Sequence, residues 1–498
     1  MFIAQMADLG GAFFLSRPRR FGKSLLLDTM DQAFSGRREL FSGLYLDSAE
    51  STWDWSASHP VIKISFGTGS FRNVADFNRS ILFQIEEIHQ RLGLPAPEET
   101  LPSLALRKLI KTAGDRAKTT VVVLIDEYDR PILDALPDLE LAAVMRTELR
   151  SFYGILKDAD QYLRFVFLTG VGKFSKAGVF SGLNQLNDLT LDLRFGTVCG
   201  YTQADVDDHF GSLLTRFPPE TVRNWYNGYR WGSESVYNPF DILLLCDKQE
   251  LRPWWFETGT PGFLIKMMKE QPRSLPELDT LRIGAELSDG FEPDRMSLPV
   301  MLFQTGYLTI TERIGDTLEG TRYRLGFPNL EVRSSFSRLS LETAIADDGT
   351  SNSNRNRLWD ILETGNSTAL RDLFTAFFAS IPADNYRQNQ ISRYEGFYAS
   401  VVYAYFASIG LTVIPEDVTN RGRIDLTVIG PKGIWIFEFK VKGLDKSGNE
   451  SPLAQILRKG YAAKYRGRRD AAGQVLPLRQ IGIVFNEVER NVVGWEEG

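Results

Sequence analysis

Cysteine is scarce in this 498-residue chain. Cys199 and Cys246 stand alone, neither in a C-x-x-C spacing, which argues against a disulfide framework and a structural zinc site. His59, His89 and His209 are equally scattered. A metal in this protein is therefore expected on carboxylates, which favours Mg²⁺ or Mn²⁺ over Zn²⁺. No apolar run approaches the roughly 20 residues that a membrane span requires. The N-terminus lacks a basic stretch followed by an apolar run and a cleavage site, so a cytoplasmic location without a membrane partner is expected. With 57 Lys and Arg against 63 Asp and Glu, the formal charge of −6 argues against a histone-like polyanion binder. It leaves room for a local basic groove.

What is present is the composition of an ordinary folded protein, 43% hydrophobic and 24% charged. Its length suits roughly three domains, so a single activity for the whole chain is not the default. In the first third, apolar runs alternate with amphipathic stretches. Strands are expected at 12–15, 61–66, 121–125 and 164–169 and a helix at 24–34, which implies a parallel α/β sheet. From about Tyr201 to Leu341 the pattern is mainly helical, with the aromatic loop WYNGYRWG and an alternating segment, GYLTITER, that Arg322–Leu325 can join as a hairpin. The run DDGTSNSNRN at 347–356 is small and polar and reads as a linker. Beyond Leu358 come helices, one at 394–410, then strands at 411–414, 424–429 and 434–439, a helix at 453–465 and a last strand at 481–485.

Two of those strands carry charge where apolar residues are expected. Asp425 lies in GRIDLTVIG and Glu438 and Lys440 in GIWIFEFKVK, with Pro431, Lys432 and Gly433 supplying a tight turn between them. Side chains alternate along a strand, so Glu438 and Lys440 share one face and Phe437 and Phe439 the other. A carboxylate against an apolar layer loses hydration, and a divalent cation offsets that loss. Asp425 and Glu438 suit Mg²⁺, with Lys440 placed to position water or stabilise developing charge, an arrangement fit for phosphodiester hydrolysis. The alternative is a surface hairpin with a solvated Asp and an exposed Glu/Lys pair. Nearby, Arg458, Lys459, Lys464, Arg466, Arg468 and Arg469 form a basic run in which Tyr461 and Tyr465 are candidates to stack on bases; a solvated helix face accounts for it equally well.

A second constellation sits near the N-terminus. FFLSRPRRFGKSLLLDTM places Gly22, Lys23 and Ser24 between a buried strand and a helix, as a phosphate-binding P-loop requires. Gly22 lets backbone approach phosphate, Lys23 neutralises the β and γ groups, and Ser24 takes Mg²⁺ at a helix N-terminus. In the pattern G-x-x-x-x-G-K-[ST] the first glycine falls at position 17, where this chain has Arg17, so an altered loop entry is expected. The strand VVVLID ends in Asp126 and Glu127, the first suited to Mg²⁺ and the second to activating water. Strand-end acids also occur as simple solvated caps.

Taken together, YEGFYAS, GRIDLTVIG, WIFEFKVK and AQILRKGYAAKY resemble the PD-(D/E)XK nuclease-like domain at the C-terminus of a family of bacterial AAA-ATPase-like proteins. SRPRRFGKS, LIDEYD, LTGVGKFSKAGVFSGLNQLNDLT, WYNGYRWG with YNPF, and LFQTGYLTI with PNLEV are similar to the same family's hallmarks, in order, and RPRRFGK is its own form of the loop. The resemblance implies that Glu395 is the acidic residue of the nuclease domain's first core helix, that Gln455 and Tyr461 are further members of its site, and that Thr169 occupies a sensor position. Family members carry more chain ahead of the P-loop strand than this sequence does.

The expected fold class is multidomain α/β. A P-loop AAA+-like parallel sheet is placed at 1–200, a helical lid and winged-helix-like region at 201–346, a linker at 347–357, and a restriction-endonuclease-like PD-(D/E)XK domain at 358–498. The expected function is an ATP-binding protein with a metal-dependent nuclease, whose ATP module gates or positions the nuclease on nucleic acid, DNA by preference. Expected cofactors are ATP and Mg²⁺ or Mn²⁺, and a homo-oligomer is left open. The alternative is a nucleotide-dependent switch whose nuclease fold binds DNA or a partner without cutting.

Overall fold

The computed structural model describes the chain except residues 70, 137, 175–178, 181, 182, 184, 233, 261, 272, 288, 289, 291–296, 318, 319, 345–347, 382–394, 443–449, 471 and 472. Those residues divide into two compact units, Met1–Lys269 with Arg282–Pro328, and Glu270–Leu281 with Asn329–Gly498. No helix among them is long and apolar enough to cross a membrane.

The first unit is built on a five-stranded sheet of β1 (Gly11–Ser16), β2 (Val61–Ser65), β3 (Val121–Asp126), β4 (Leu163–Gly170) and the short β5 (Asn187–Asp188). Its order is β2-β3-β4-β1-β5, and every pairing is parallel. All six residues of β3 are buried, as helices on both faces of a parallel sheet demand. Helix α1 (Phe2–Leu9) buries Ile3, Ala4, Met6 and Ala7 in the same apolar cluster as Phe13, Leu27, Phe34 and Phe167, so the residues ahead of the P-loop strand form part of the core. Helix α2 (Lys23–Phe34) follows β1 directly.

Farther along, Thr309–Thr317 and Gly320–Gly326 pair as the expected antiparallel hairpin, joined by Arg282–Ile283 in a three-stranded sheet.

The second unit holds a mixed five-stranded sheet, in chain and spatial order Thr412–Thr419, Gly422–Gly430, Gly433–Lys442, Leu478–Asn486 and Asn491–Glu497. Only the pairing of Gly433–Lys442 with Leu478–Asn486 is parallel. Phe437 and Phe439 point toward the aromatic side of the sheet, where Phe437 meets Phe406 of helix Glu395–Ser408 at 5.4 Å and Phe439 meets Phe485 at 6.1 Å. The opposite face is covered by helix Pro452–Lys459 through Ile456, which packs with Ile434 and Ile436.

Three local expectations change. The helix expected over 453–465 stops at Lys459, because Gly460 adopts a left-handed C-cap (φ 60) and Tyr461–Tyr465 continues as a 3-10 turn. Most of the polar run at 347–356 lies inside helix Asp348–Thr364, extended backward from a turn that buries Leu358, Ile361 and Leu362. Asn491–Glu497 adds an edge strand that lacked the apolar alternation of the others.

Candidate functional site

At the carboxyl end of β1 the chain enters a loop that closes on Gly22 (φ 82), a left-handed conformation natural to glycine, and α2 begins at the next residue. The helix has no side-chain N-cap, so its first N–H groups point into the loop and favour an anion there. Lys23 is buried and donates to the Pro18 carbonyl at 2.9 Å. Burial lowers its pKa, while Asp126 and then Asp129 hold it up. The Ser24 hydroxyl donates to Asp126 at 2.5 Å, which places the two candidate Mg²⁺ ligands of this unit side by side. Glu127 stands one residue on at φ 51, its carboxylate 3.2 Å from Arg130. Thr169 is fully buried and donates to the Leu15 carbonyl at 2.9 Å, a bond directed into the sheet.

Arg17 anchors the loop's entry. Its side chain is completely buried and donates to the carbonyls of Ser16 (2.8 Å), Phe195 (2.9 Å), Thr190 (3.1 Å) and Val198 (3.2 Å), with the guanidinium 4.2 Å from the Trp231 ring. Desolvation brings its pKa down to about 10, and it remains a cation at neutral pH. Asp129, which motif reading passed over, is buried and accepts from the backbone N–H groups of Val171 (3.0 Å) and Gly172 (2.5 Å), just past β4. Burial pushes its pKa from 3.8 up to about 6. The signal available in the sequence was the third acid of DEYD, whose partners are backbone groups with no residue identity to read.

In the second unit the ladder between the Asp425 and Glu438 strands ends at the Leu426–Phe437 pair. One step on, the Asp425 carboxylate accepts the backbone N–H of Phe439 at 2.7 Å. On the other flank Pro415 pairs with Leu426 and Asp417 with Ile424 in one continuous register, and Glu416, opposite Asp425, takes a left-handed backbone conformation (φ 48). The ladder to the Glu438 strand thus stops where the carboxylate sits, and the facing residue of the other strand is left-handed. Glu438 is 3% exposed and accepts from the Gln455 amide of the covering helix. Lys440, two residues along the same face, donates to the Glu450 carbonyl at 2.7 Å, and Glu450 is itself gripped by Arg458 at 2.7 and 2.9 Å. Burial, then the charges of Glu438 and Asp425, raise the Tyr461 phenol pKa. The fold therefore assembles Asp425, Glu438, Lys440, Gln455 and Tyr461. The Glu395 side chain lies outside the described residues.

Residues 1–180 match the family described as predicted AAA-ATPase, and residues 393–495 match the PD-(D/E)XK nuclease superfamily. An uncharacterized protein in the vnfD 5′ region of Azotobacter chroococcum mcd 1 is 44% identical over 496 residues, covering 99% of this chain and 93% of that relative. The chain belongs to the AAA-ATPase-like family with a C-terminal PD-(D/E)XK nuclease domain.

Within that frame one expectation is overturned. Tyr461 and Tyr465 are only 2% and 3% exposed, and the Tyr465 hydroxyl donates to Asp417 at 2.6 Å, so neither ring is available to stack on a base. Among the described residues no group of three or more His, Cys, Asp or Glu is placed to hold a metal, so the nuclease-domain donors on view are the two carboxylates of Asp425 and Glu438. Oxygen donors of this kind fit Mg²⁺ or Mn²⁺.

Arg17→Gly, which restores the general P-loop pattern, is expected to cost at least about 3 kcal/mol because it strands buried carbonyls; a melting temperature equal to the parent's would refute the anchoring role. For Asp129, the folded chain holds a proton more tightly than the unfolded chain. The associated stability is complete below pH 3.8 and is lost as pH rises toward 6. Asp129→Asn keeps an oxygen for Val171 and Gly172 and should flatten this decline, worth roughly 3 kcal/mol, in pH-resolved melts compared with the parent.

Proposed function

We propose that this protein binds ATP·Mg²⁺ in its P-loop module and hydrolyses phosphodiester bonds of nucleic acid in its PD-(D/E)XK domain, with the ATP module gating or positioning the nuclease. The observation that carries the nuclease reading is Glu438, a buried carboxylate on an otherwise apolar strand, held on the same face as Lys440 and one rung from Asp425. A charge costs too much there without a compensating partner of opposite sign.

Asp425 and Glu438 would hold the divalent ion, which supplies a Lewis acid at the scissile phosphate and makes the attacking water more acidic. Gln455 orients Glu438 by donating to it. Lys440 stabilises the charge that develops on the phosphate. Glu395 completes this set as the acid of the first helix. In the other module Lys23 would meet the β and γ phosphates, Ser24 and Asp126 would hold the second ion, and Glu127 would activate water for hydrolysis of ATP. Thr169 acts at one remove, steadying the end of β1 from which the loop departs. Residues 1–200, 201–346 and 358–498 serve as the ATP module, the lid and winged-helix-like region, and the nuclease.

The test is cleavage of supercoiled, linear and single-stranded DNA and of RNA, with and without Mg²⁺ and ATP. Asp425→Asn is expected to reduce metal-dependent cleavage by about a hundredfold or more, since a charge interaction of several kcal/mol is lost at the phosphate. Lys23→Ala should abolish nucleotide binding and remove any response of cleavage to ATP. A folded parent that cuts no substrate in any condition ends the nuclease reading, and a Lys23→Ala variant that binds ATP like the parent ends the P-loop reading.

A further inference from the structure

The basic run near the nuclease centre separates into two classes once its partners are known. Arg458 is taken up by Glu450, and Lys464 by the buried Asp417. Lys459 is different. Its ammonium donates to the Arg421 carbonyl at 3.3 Å, in the turn between the strands Thr412–Thr419 and Gly422–Gly430. A Cβ on Gly460 would lie 3.4 Å from the Arg421 guanidinium, so Arg421 folds back over the same spot. Both cations thus belong to the surroundings of one hairpin turn, and among the described residues neither lies within ion-pair distance of a carboxylate. Like charges near one turn repel, and a chain with a net charge of −6 has no shortage of acids to separate them.

The pair is also close to the reacting centre. A Cβ on Gly422 would meet the Tyr461 hydroxyl at 3.0 Å and the Lys459 Nζ at 3.7 Å. Tyr461 in turn feels the charges of Glu438 and Asp425. Lys459 therefore borders the acidic site across one buried tyrosine, and Arg421 sits in the turn next to it. Arg423 and Arg468 extend the positive edge, one 3.6 Å from Glu416 and the other over the Tyr465 ring at 5.9 Å.

We propose that Arg421 and Lys459 form a phosphate-binding pair at the rim of the Asp425 and Glu438 centre, and that their ligand is the backbone of a double-stranded nucleic acid. This rests on the nuclease reading of the adjacent site and names its substrate class. A phosphate between the two cations cancels their repulsion and fixes the register of the backbone relative to the acids. The duplex assignment follows from the rings. Single-strand binders stack bases on exposed aromatics, and the two described rings of this basic run, Tyr461 and Tyr465, are turned into the core, which leaves charge as the run's means of grip.

The experiment is fluorescence anisotropy with the full chain in EDTA, so that binding is read without cleavage. The probes are a short labelled DNA duplex, an RNA duplex of the same length, and the corresponding DNA single strand. Arg421→Gln and Lys459→Gln, alone and together, are compared with the parent and with Arg371→Gln, which changes an exposed arginine that pairs with Asp372 in helix Ser367–Ser380. The parent is expected to prefer a duplex. The double variant should bind it about tenfold or more weakly, with the slope of log K against log salt reduced by about two, and Arg371→Gln should match the parent. A difference between the DNA and RNA arms assigns the duplex. Parent-like affinity and slope in a folded double variant, a parent that prefers the single strand, or a parent that binds no probe at low salt would each overturn the proposal. A parent that binds duplex with its full salt slope but cuts nothing when Mg²⁺ is restored keeps this site and loses the catalytic reading.

Discussion

A strand that leaves its ladder strips backbone donors and acceptors of their partners, and inside a protein each must find another. In both units the replacement is a charged side chain. Arg17 collects carbonyls around the entry to the P-loop, Asp129 collects the N–H groups that follow β4, and Asp425 collects the N–H of Phe439 where its strand parts from the Glu438 strand. The open ends of the sheets, where ligands have room to approach, are thereby the places where charge is fixed.

This accounts for the different character of the charges in the two sites. Arg17 and Asp129 are buried and fully engaged with backbone, so their work is to set the shape of loops. Asp425 stands where the ladder to the Glu438 strand ends and where Glu416 of the other neighbouring strand turns left-handed, and its carboxylate takes the N–H of Phe439. Glu438 and Lys440 are steered by partners on and beside the covering helix, Gln455 directly and Arg458 through Glu450.

The P-loop unit shows how a departure from a motif can be absorbed. The first glycine of the general pattern is replaced by the most demanding of buried side chains, and the structure meets that demand from the chain around Thr190, Phe195 and Val198, far along the sequence. Gly22, Lys23 and Ser24 keep their places because α2 still starts directly after Gly22.

Much of this was legible in the sequence. Runs such as VVVLID and the alternation of IWIFEFK are local consequences of burial, so strands β1 to β4 and the Asp425 and Glu438 strands could be located from residue pattern, and the charges that break the pattern marked the candidate sites. What the sequence could not reveal depends on partners distant along the chain or lacking a side-chain identity. Arg17 meets carbonyls more than a hundred residues away; Asp129 meets only backbone N–H groups; the left-handed turn at Gly460 ends a helix whose apolar spacing continued. The burial of Tyr461 and Tyr465 was likewise decided by tertiary packing, because an aromatic ring in a basic run serves a core as well as a surface. Residue pattern determined which elements form and where charge interrupts them, since those are short-range effects of hydration and periodicity. Tertiary structure alone decided which charges are spent on the fold and which remain for a ligand, since that depends on what each finds beside it in space.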